Sequence, residues 1–203
     1  PALGGLVVGV IAWPLGFNHF YACLSLILSV FVFFSILSEF LRGAFVIRAR
    51  TGANLFSSVA QLTMRNTRRY GGYVVHLGMV LIFVGLAGAA FNRDKEMEMV
   101  PGSSMTLGPY TMVLQTFTSL PQRNYTAERA SIEVLRDHKQ VMMLTPERRF
   151  YAANEQAGTM VAIYSTLKED LYVVFAGRSP DTNQPVIHAF LNPLVKWIWL
   201  GGV

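Results

Sequence analysis

Hydrophobic and polar positions divide the chain into long apolar runs and one mixed stretch. Residues 2–13 are apolar and close on Trp13-Pro14, and 14–18 read as a short turn. A second run, HFYACLSLILSVFVFFSILSEF over 19–40, stays apolar for about 20 residues and ends near Glu39. A third, 73–91, holds 19 residues with one ionisable side chain, His76. In a helix that rises about 1.5 Å per residue, 19 residues give about 28 Å, close to the hydrocarbon thickness of a bilayer. From Leu191 the chain turns apolar again, with Asn192-Pro193 at the boundary and the aromatic run WIWL behind it. The pattern predicts transmembrane helices, the first and last incomplete, with tryptophans at the interface.

Residues 92–190 are patterned differently. Short apolar-rich stretches (MEMV, YTMVLQTF, ASIEVLRD, QVMMLTPERRFY, TMVAIYST, DLYVVFAG and PVIHAFL) lie between turn signals such as Pro101-Gly102 and Gly108-Pro109. Polar and apolar residues alternate through 131–135 and 160–164. The spacing predicts about seven strands in a small antiparallel barrel or sandwich. About 100 residues suffice for one modest core. The expected fold class is a membrane α-helical protein of about four transmembrane segments with an inserted antiparallel β-rich domain. The expected organisation is two transmembrane helices in 1–41, a basic cytoplasmic loop in 42–70, a helix bearing His76 in 71–91, the β domain in 92–190, and the start of a further span in 191–203.

Composition agrees with a membrane class. The 203 residues are 52% hydrophobic with mean hydropathy +0.38, too apolar for an ordinary soluble domain. The net charge of +5 is unevenly spread. Arg42, Arg48, Arg50, Arg65, Arg68 and Arg69 lie between two predicted spans, and no acid follows Glu39 there. That bias places the loop in the cytoplasm by the positive-inside rule. Nucleic acid is not needed to explain it. Leu55, Val59 and Leu62 recur at i, i+4 and i+7 and predict a short amphipathic helix on the membrane surface or on neighbouring helices. Arg65, Arg68 and Arg69 then sit at headgroup level, as a topology signal or as partners for anionic groups of a bound cofactor. Residues 92–190 hold ten Lys/Arg and eleven Asp/Glu, and one span puts them on the opposite side, the periplasm of a bacterium. Cys23 is the sole cysteine, so there is no intrachain disulfide and no CxxC pair. Neither terminus has the form of a natural end, and the chain is expected to be a piece of a longer multi-spanning protein.

His76 is the leading chemical candidate, because an imidazole in lipid is costly unless something binds it. Taken alone, it fits a helix–helix hydrogen bond best. Gly71, Gly78 and Gly85 recur at seven residues and Gly88 follows, a stripe for close helix packing or for a flat ligand. His19 reads as an interfacial anchor, His138 as a solvated turn residue, and His188 as a strand-surface residue that could face a substrate. Arg148 and Arg149 read as a solvated strand end, with Glu147 or an anionic ligand as alternative partners. Glu169-Asp170 reads as a turn rather than a carboxylate dyad.

Four blocks, RRYGGYVVHLG, TPERRFY, STLKEDLYVVFAG and NPLVKWIWLGG, in this order and roughly this spacing, resemble the C-terminal part of the cytochrome c-type biogenesis protein CcmF family, membrane haem lyase subunits. The resemblance is close from about Arg68 onward and loose before it. It implies a multi-pass inner-membrane protein that attaches haem to the CxxCH cysteines of apocytochrome c. It also implies a resident b-type haem between two transmembrane histidines that relays electrons from quinol. His76 matches one of those ligands, and Gly72, four residues earlier on the same helix face, would leave room for the porphyrin. The implied partners are apocytochrome c, a periplasmic haem chaperone that delivers substrate haem, a thiol-reducing maturation subunit and membrane lipid. The chain departs from the family pattern in lacking the tryptophan-rich WGGxWxWD stretch and a second transmembrane histidine, which the resemblance places upstream of Pro1. The fragment alone is therefore expected to be inactive. Two other readings stand beside this one: a non-catalytic scaffold whose β domain binds a partner protein, and a transporter segment with His76 on its pathway.

Overall fold

The computed structural model describes residues 20–151, 153 and 156–203. The first predicted span, its Trp13-Pro14 end and His19 lie outside the described residues. The chain forms two compact units: a helical one up to Ala90 and again from Leu194 to Val203, and a β unit, Phe91–Pro193.

In the helical unit, α1 (Phe20–Thr51) does not stop near Glu39, where the apolar run ends. It continues for three further turns because Ala44 and Ile47 find buried positions while Arg42, Arg48 and Arg50 stay exposed. Its 32 residues measure about 48 Å, more than the hydrocarbon core alone requires. Gly52, at φ +70°, ends the helix, and its N–H donates to the Arg48 carbonyl at 2.9 Å. This is the left-handed cap glycine adopts without a Cβ penalty. Asn54 then caps α2 (Leu55–Arg65), its side-chain oxygen accepting from the Ser57 N–H at 2.8 Å. α2 rests on its neighbours through Ser58 and Leu62, and Leu62 packs with Ile47 and Tyr70.

The helix α3 (Thr67–Gly88) begins before the apolar run, so Arg68 and Arg69 are helical and not in a loop. α1 and α3 pack side by side. Both are long and apolar enough to cross a membrane, yet only 17% and 22% of their apolar windows is buried. Phe31, Phe33, Phe34, Val74, Val75 and Phe83 point outward. A helix so apolar and so uncovered is not the core of a soluble domain; it requires lipid or further apolar protein around it. The short α4 (Val195–Gly202) starts after Leu194 and packs on α3 where glycines allow the backbones to touch. A Cβ on Gly78 would lie 2.7 Å from the Gly201 carbonyl oxygen, and one on Gly85 would lie 2.9 Å from the Ile198 nitrogen. Of the seven-residue glycine stripe, Gly78 and Gly85 therefore serve helix packing. A Cβ on Gly71 would meet nothing within 4 Å.

The β unit is a sandwich of ten strands, more than the seven expected: β1 (Arg93–Glu98), β2 (Ser104–Leu107), β3 (Tyr110–Pro121), β4 (Tyr125–Arg136), β5 (Lys139–Leu144), β6 (Glu147–Tyr151), β7 (Ala157–Met160), β8 (Ala162–Ser165), β9 (Glu169–Arg178) and β10 (Pro185–Pro193). One sheet runs β1-β10-β9-β8; the other runs β2-β3-β4-β6-β7, with β5 also on β4. All pairings are antiparallel. Alternating residues supply the core, including Tyr110, Met112, Ile132, Val134, Phe175 and Ile187, all at 0% exposure.

The strand count rose by three: β2 is a short strand of its own before Gly108-Pro109, and two stretches that read as continuous are broken. QVMMLTPERRFY divides at Pro146, which has no N–H to give a ladder. Its carbonyl accepts from Ala130 at 3.0 Å, and β5 and β6 pair with successive halves of β4. TMVAIYST divides at Val161, where the chain leaves β6 as its partner and joins β9 in the other sheet. Leu191 is a buried core residue of β10, so the chain enters α4 only at Val195, later than the apolar pattern indicates.

Candidate functional site

His76 sits on the second half-turn of apolar sequence in α3, one helical turn after Gly72. Its Nδ1 lies 2.7 Å from the Gly72 carbonyl oxygen. A carbonyl can only accept, so in the neutral ring the proton is on Nδ1 and the lone pair is on Nε2. A backbone bond of this kind fixes the tautomer and orientation of a ligating histidine. The ring opens on a groove of about 370 Å³ between α1 and α3, with walls that include Tyr21, Leu24, Leu28, Met79 and Phe83. Ser25 Oγ donates across the two helices to the Phe83 carbonyl at 3.3 Å. The groove is thus apolar with one imidazole in its wall, a composition suited to a flat apolar ligand with a metal centre.

The Gly72 carbonyl, not its missing side chain, makes the contact with His76. A Cβ added at Gly72 would meet nothing within 4 Å. That side of Gly72 is open, and Gly72 is not among the residues that line the groove. At the same end of α3, Arg69 pairs with Glu39 of α1 at 2.7 Å and contacts the Tyr73 hydroxyl at 3.3 Å. Phe40, Tyr70 and Tyr73 cluster beneath it. These contacts hold α1 against α3 at that end. Arg69 is therefore occupied within the chain. The groove partners on α1 had no distinguishing sequence signal, since Leu24 and Leu28 resemble every other apolar residue in that run.

The remaining candidates lie in the β unit. His138 occupies the β4–β5 turn with Asp137, at φ 62° and 51° respectively, the geometry of a two-residue hairpin. His188 projects from β10 toward β1, its Nε2 2.9 Å from Asp94 Oδ2 and its Nδ1 3.3 Å from Glu96 Oε2. Arg149 is not a solvated strand end. With Arg129 it grips the buried Glu147, Nε to Oε1 at 2.6 Å for Arg149 and Nε to Oε2 at 2.9 Å for Arg129. Burial alone would push the Glu147 carboxyl up; hydrogen bonds from Arg149 and Arg129 outweigh it and hold the group below the usual carboxylate range. Arg148 donates to the Ala176 carbonyl at 3.1 Å.

Glu169 and Asp170 open β9 and face opposite sides of it. Asp170 accepts from Ser165 Oγ at 2.6 Å, while Glu169 is buried, so they form no dyad. Burial, reinforced by the Glu169 charge, pushes the Tyr110 phenol up to about 12. Among the described residues no three His, Cys, Asp or Glu side chains are placed to hold a metal ion.

The family model for the CcmF C-terminal β-sandwich matches residues 90–193. The cytochrome c-type biogenesis protein CcmF of Pseudomonas aeruginosa is 30% identical over 139 residues, 68% of this chain and 21% of the relative. That of Haemophilus influenzae is 28% identical over 157 residues, 77% of this chain and 24% of the relative. The probable cytochrome c-type biogenesis protein NrfE of Escherichia coli is 29% identical over 131 residues, 64% of this chain and 24% of the relative. The chain spans about a fifth to a quarter of the length of these relatives. A solved structure, the cytochrome c haem lyase CcmF, superposes with a TM-score of 0.60 at 16% identity, covering 95% of this chain and 37% of that one. The likeness extends the shared fold to the helices as well as the sandwich. The family model covers just over half of the chain and a relative is 30% identical over 68% of it: the chain belongs to the CcmF family of cytochrome c-type biogenesis proteins and corresponds to its C-terminal portion.

Proposed function

We propose that the chain is the C-terminal part of a membrane haem lyase that joins haem to apocytochrome c, and that His76 is an axial ligand of a resident b-type haem. The observation that carries the ligand assignment is the bond from His76 Nδ1 to the Gly72 carbonyl, which presents Nε2 as a lone pair beside an apolar groove. The donor chemistry fits: a neutral imidazole is the usual haem ligand, and apolar walls exclude water from the macrocycle. When bound there, the haem would supply one-electron transfer from quinol to the iron of substrate haem. The chain's own residues do the holding. Gly72 fixes the ring, the Arg69–Glu39 pair sets the two helices, and Met79, Phe83 and Leu24 form a dry wall. Among the described residues the helical unit holds no second histidine, so a second histidine ligand would come from outside them.

In the reaction, each cysteine S–H of apocytochrome c adds across a vinyl group of substrate haem, forming one C–S and one C–H bond with no net change in oxidation state. This chain contributes no thiol pair, so the substrate brings both sulfurs. The arginine bias supports a cytoplasmic placement of the α1–α3 connection, and with it a periplasmic β sandwich in the inner membrane. There the sandwich would meet apocytochrome c, the haem chaperone and the thiol-reducing subunit.

Optical spectra of the full-length protein purified from membranes test the ligand. His76→Ala is expected to lose the b-type bands, and added imidazole is expected to restore them in part. Unchanged bands and unchanged cytochrome c yield in His76→Ala refute the assignment. A colourless, folded, full-length native protein would favour the scaffold reading instead.

A further inference from the structure

The β unit is nearly neutral overall, yet its charges are sorted by face. In β1 (RDKEME) the pleat sends Arg93 and Lys95 to one side and Asp94, Glu96 and Glu98 to the other. The register places Asp94 opposite Phe190 and Glu96 opposite His188, both on the outward side of β10. Phe190 in turn lies opposite Tyr172, and Asn192 opposite Asp170, both outward on β9. The outer face of the β1-β10-β9-β8 sheet therefore carries four carboxylates, with His188 between two of them, and Arg178 at the far end of β9 is paired with Glu128 of the other sheet.

Its centre is not polar. Phe190 lies over the His188 ring at a centroid distance of 4.0 Å, and Tyr172 meets Phe190 edge-on at 6.1 Å. These half-buried rings form a row across two strands, flanked by the acids on β1. Aromatic faces beside carboxylates suit lysine and arginine side chains, whose apolar stems and cationic heads meet each in turn.

We propose that this face is a docking surface for a basic polypeptide segment. The acids steer the segment and fix its register, while the Tyr172–Phe190 row supplies the desolvated centre of the contact. The inference deepens the reading above, because the substrate chain is the natural occupant, but it stands on charge and aromatic placement alone. A membrane surface or an anionic ligand would be repelled by this face.

Binding is measured on the full-length protein in nanodiscs with two labelled probes: apocytochrome c with alkylated thiols, and an alternating lysine–valine peptide. The triple variant Asp94→Asn/Glu96→Gln/Glu98→Gln changes three exposed side chains and no core residue. At about threefold per exposed charge, it is expected to weaken both probes about 30-fold and to flatten their salt dependence. Glu133→Gln, on the other sheet, is expected to change neither. Equal binding of both probes by the triple variant and the native protein would overturn the proposal. So would displacement of the probes by calcium at an ionic strength where sodium chloride has no effect, since the carboxylates would then be a cation site. If the peptide binds this face and apocytochrome c does not bind the protein at all, the docking surface stands and the substrate reading falls. If apocytochrome c binds equally to the triple variant, the reverse holds.

Discussion

The buried Glu147 offers the most exacting test of the sandwich. Its carboxylate is 5% exposed and accepts from Arg129 and Arg149, on the neighbouring strand β4 and on β6 itself. Glu147→Gln keeps the shape and removes the charge. Hydrogen bonds to a charged group contribute about 1.5–3 kcal/mol each, so two represent about 3–6 kcal/mol. The Arg129 and Arg149 side chains remain 43% and 30% exposed, so water replaces part of what they lose. The net expectation is a loss of about 2–3 kcal/mol, below the 3–5 typical of a fully buried pair. At a urea slope of about 1.5 kcal/mol per molar, the midpoint falls by about 1.3–2 M. Urea-dependent proteolysis of the full-length protein in detergent, following cleavage within the sandwich, reads that shift. The pH dependence has a definite sign. The folded-state carboxyl lies below its ordinary value of about 4.3, so its stabilisation is present above that value and is lost as pH falls through the folded one. The gap between native protein and variant should hold at neutral pH and close below about pH 4. A variant as stable as the native protein at pH 7, or a gap unchanged at low pH, would refute the triad as a stabilising element.

Three further expectations are independent of it. Gly85→Ala places a methyl against the Ile198 nitrogen and the Leu194 carbonyl, so α4 must shift; a loss of about 1–3 kcal/mol is expected in detergent thermal stability. Gly72→Ala, with open space around the new methyl and the carbonyl retained, should keep the haem bands, whereas Gly72→Phe should lower haem content as measured by pyridine haemochrome. The Tyr110 phenol, raised to about 12, stabilises the sandwich fully below the free phenol value near 10 and loses that contribution as pH rises through 12. Tyr110→Phe should remove this alkaline loss in a urea titration, and phenolate absorbance should show one tyrosine titrating late.

The membrane class, the β-rich insertion and the singular position of His76 were legible because each rests on local pattern. Apolar run length, arginine bias and period-two alternation need no partner to be read. Strand number was not legible. Pro146 and Val161 look like interior residues of two strands until the ladder shows their neighbours pairing with different partners. Arg149 looked solvated because sequence neighbours cannot reveal that Arg129, twenty positions earlier, lies across the same buried carboxylate. His188 looked like a bare surface residue, since the two acids beside its ring lie more than ninety positions away.

Sequence by itself determined what each segment can be: helices that tolerate only apolar surroundings, strands with one face inward, and an imidazole in a place where imidazoles need a partner. Hydrophobic periodicity and charge are properties of short windows, and a window suffices to read them. Tertiary structure decided which side chains meet. It turned Gly72 from a vacancy into the carbonyl that orients His76, assigned Gly78 and Gly85 to helix contact, and sorted a neutral domain into an acidic face and its opposite. Those outcomes depend on distances between residues far apart in the chain, and such distances exist only once the strands and helices have packed.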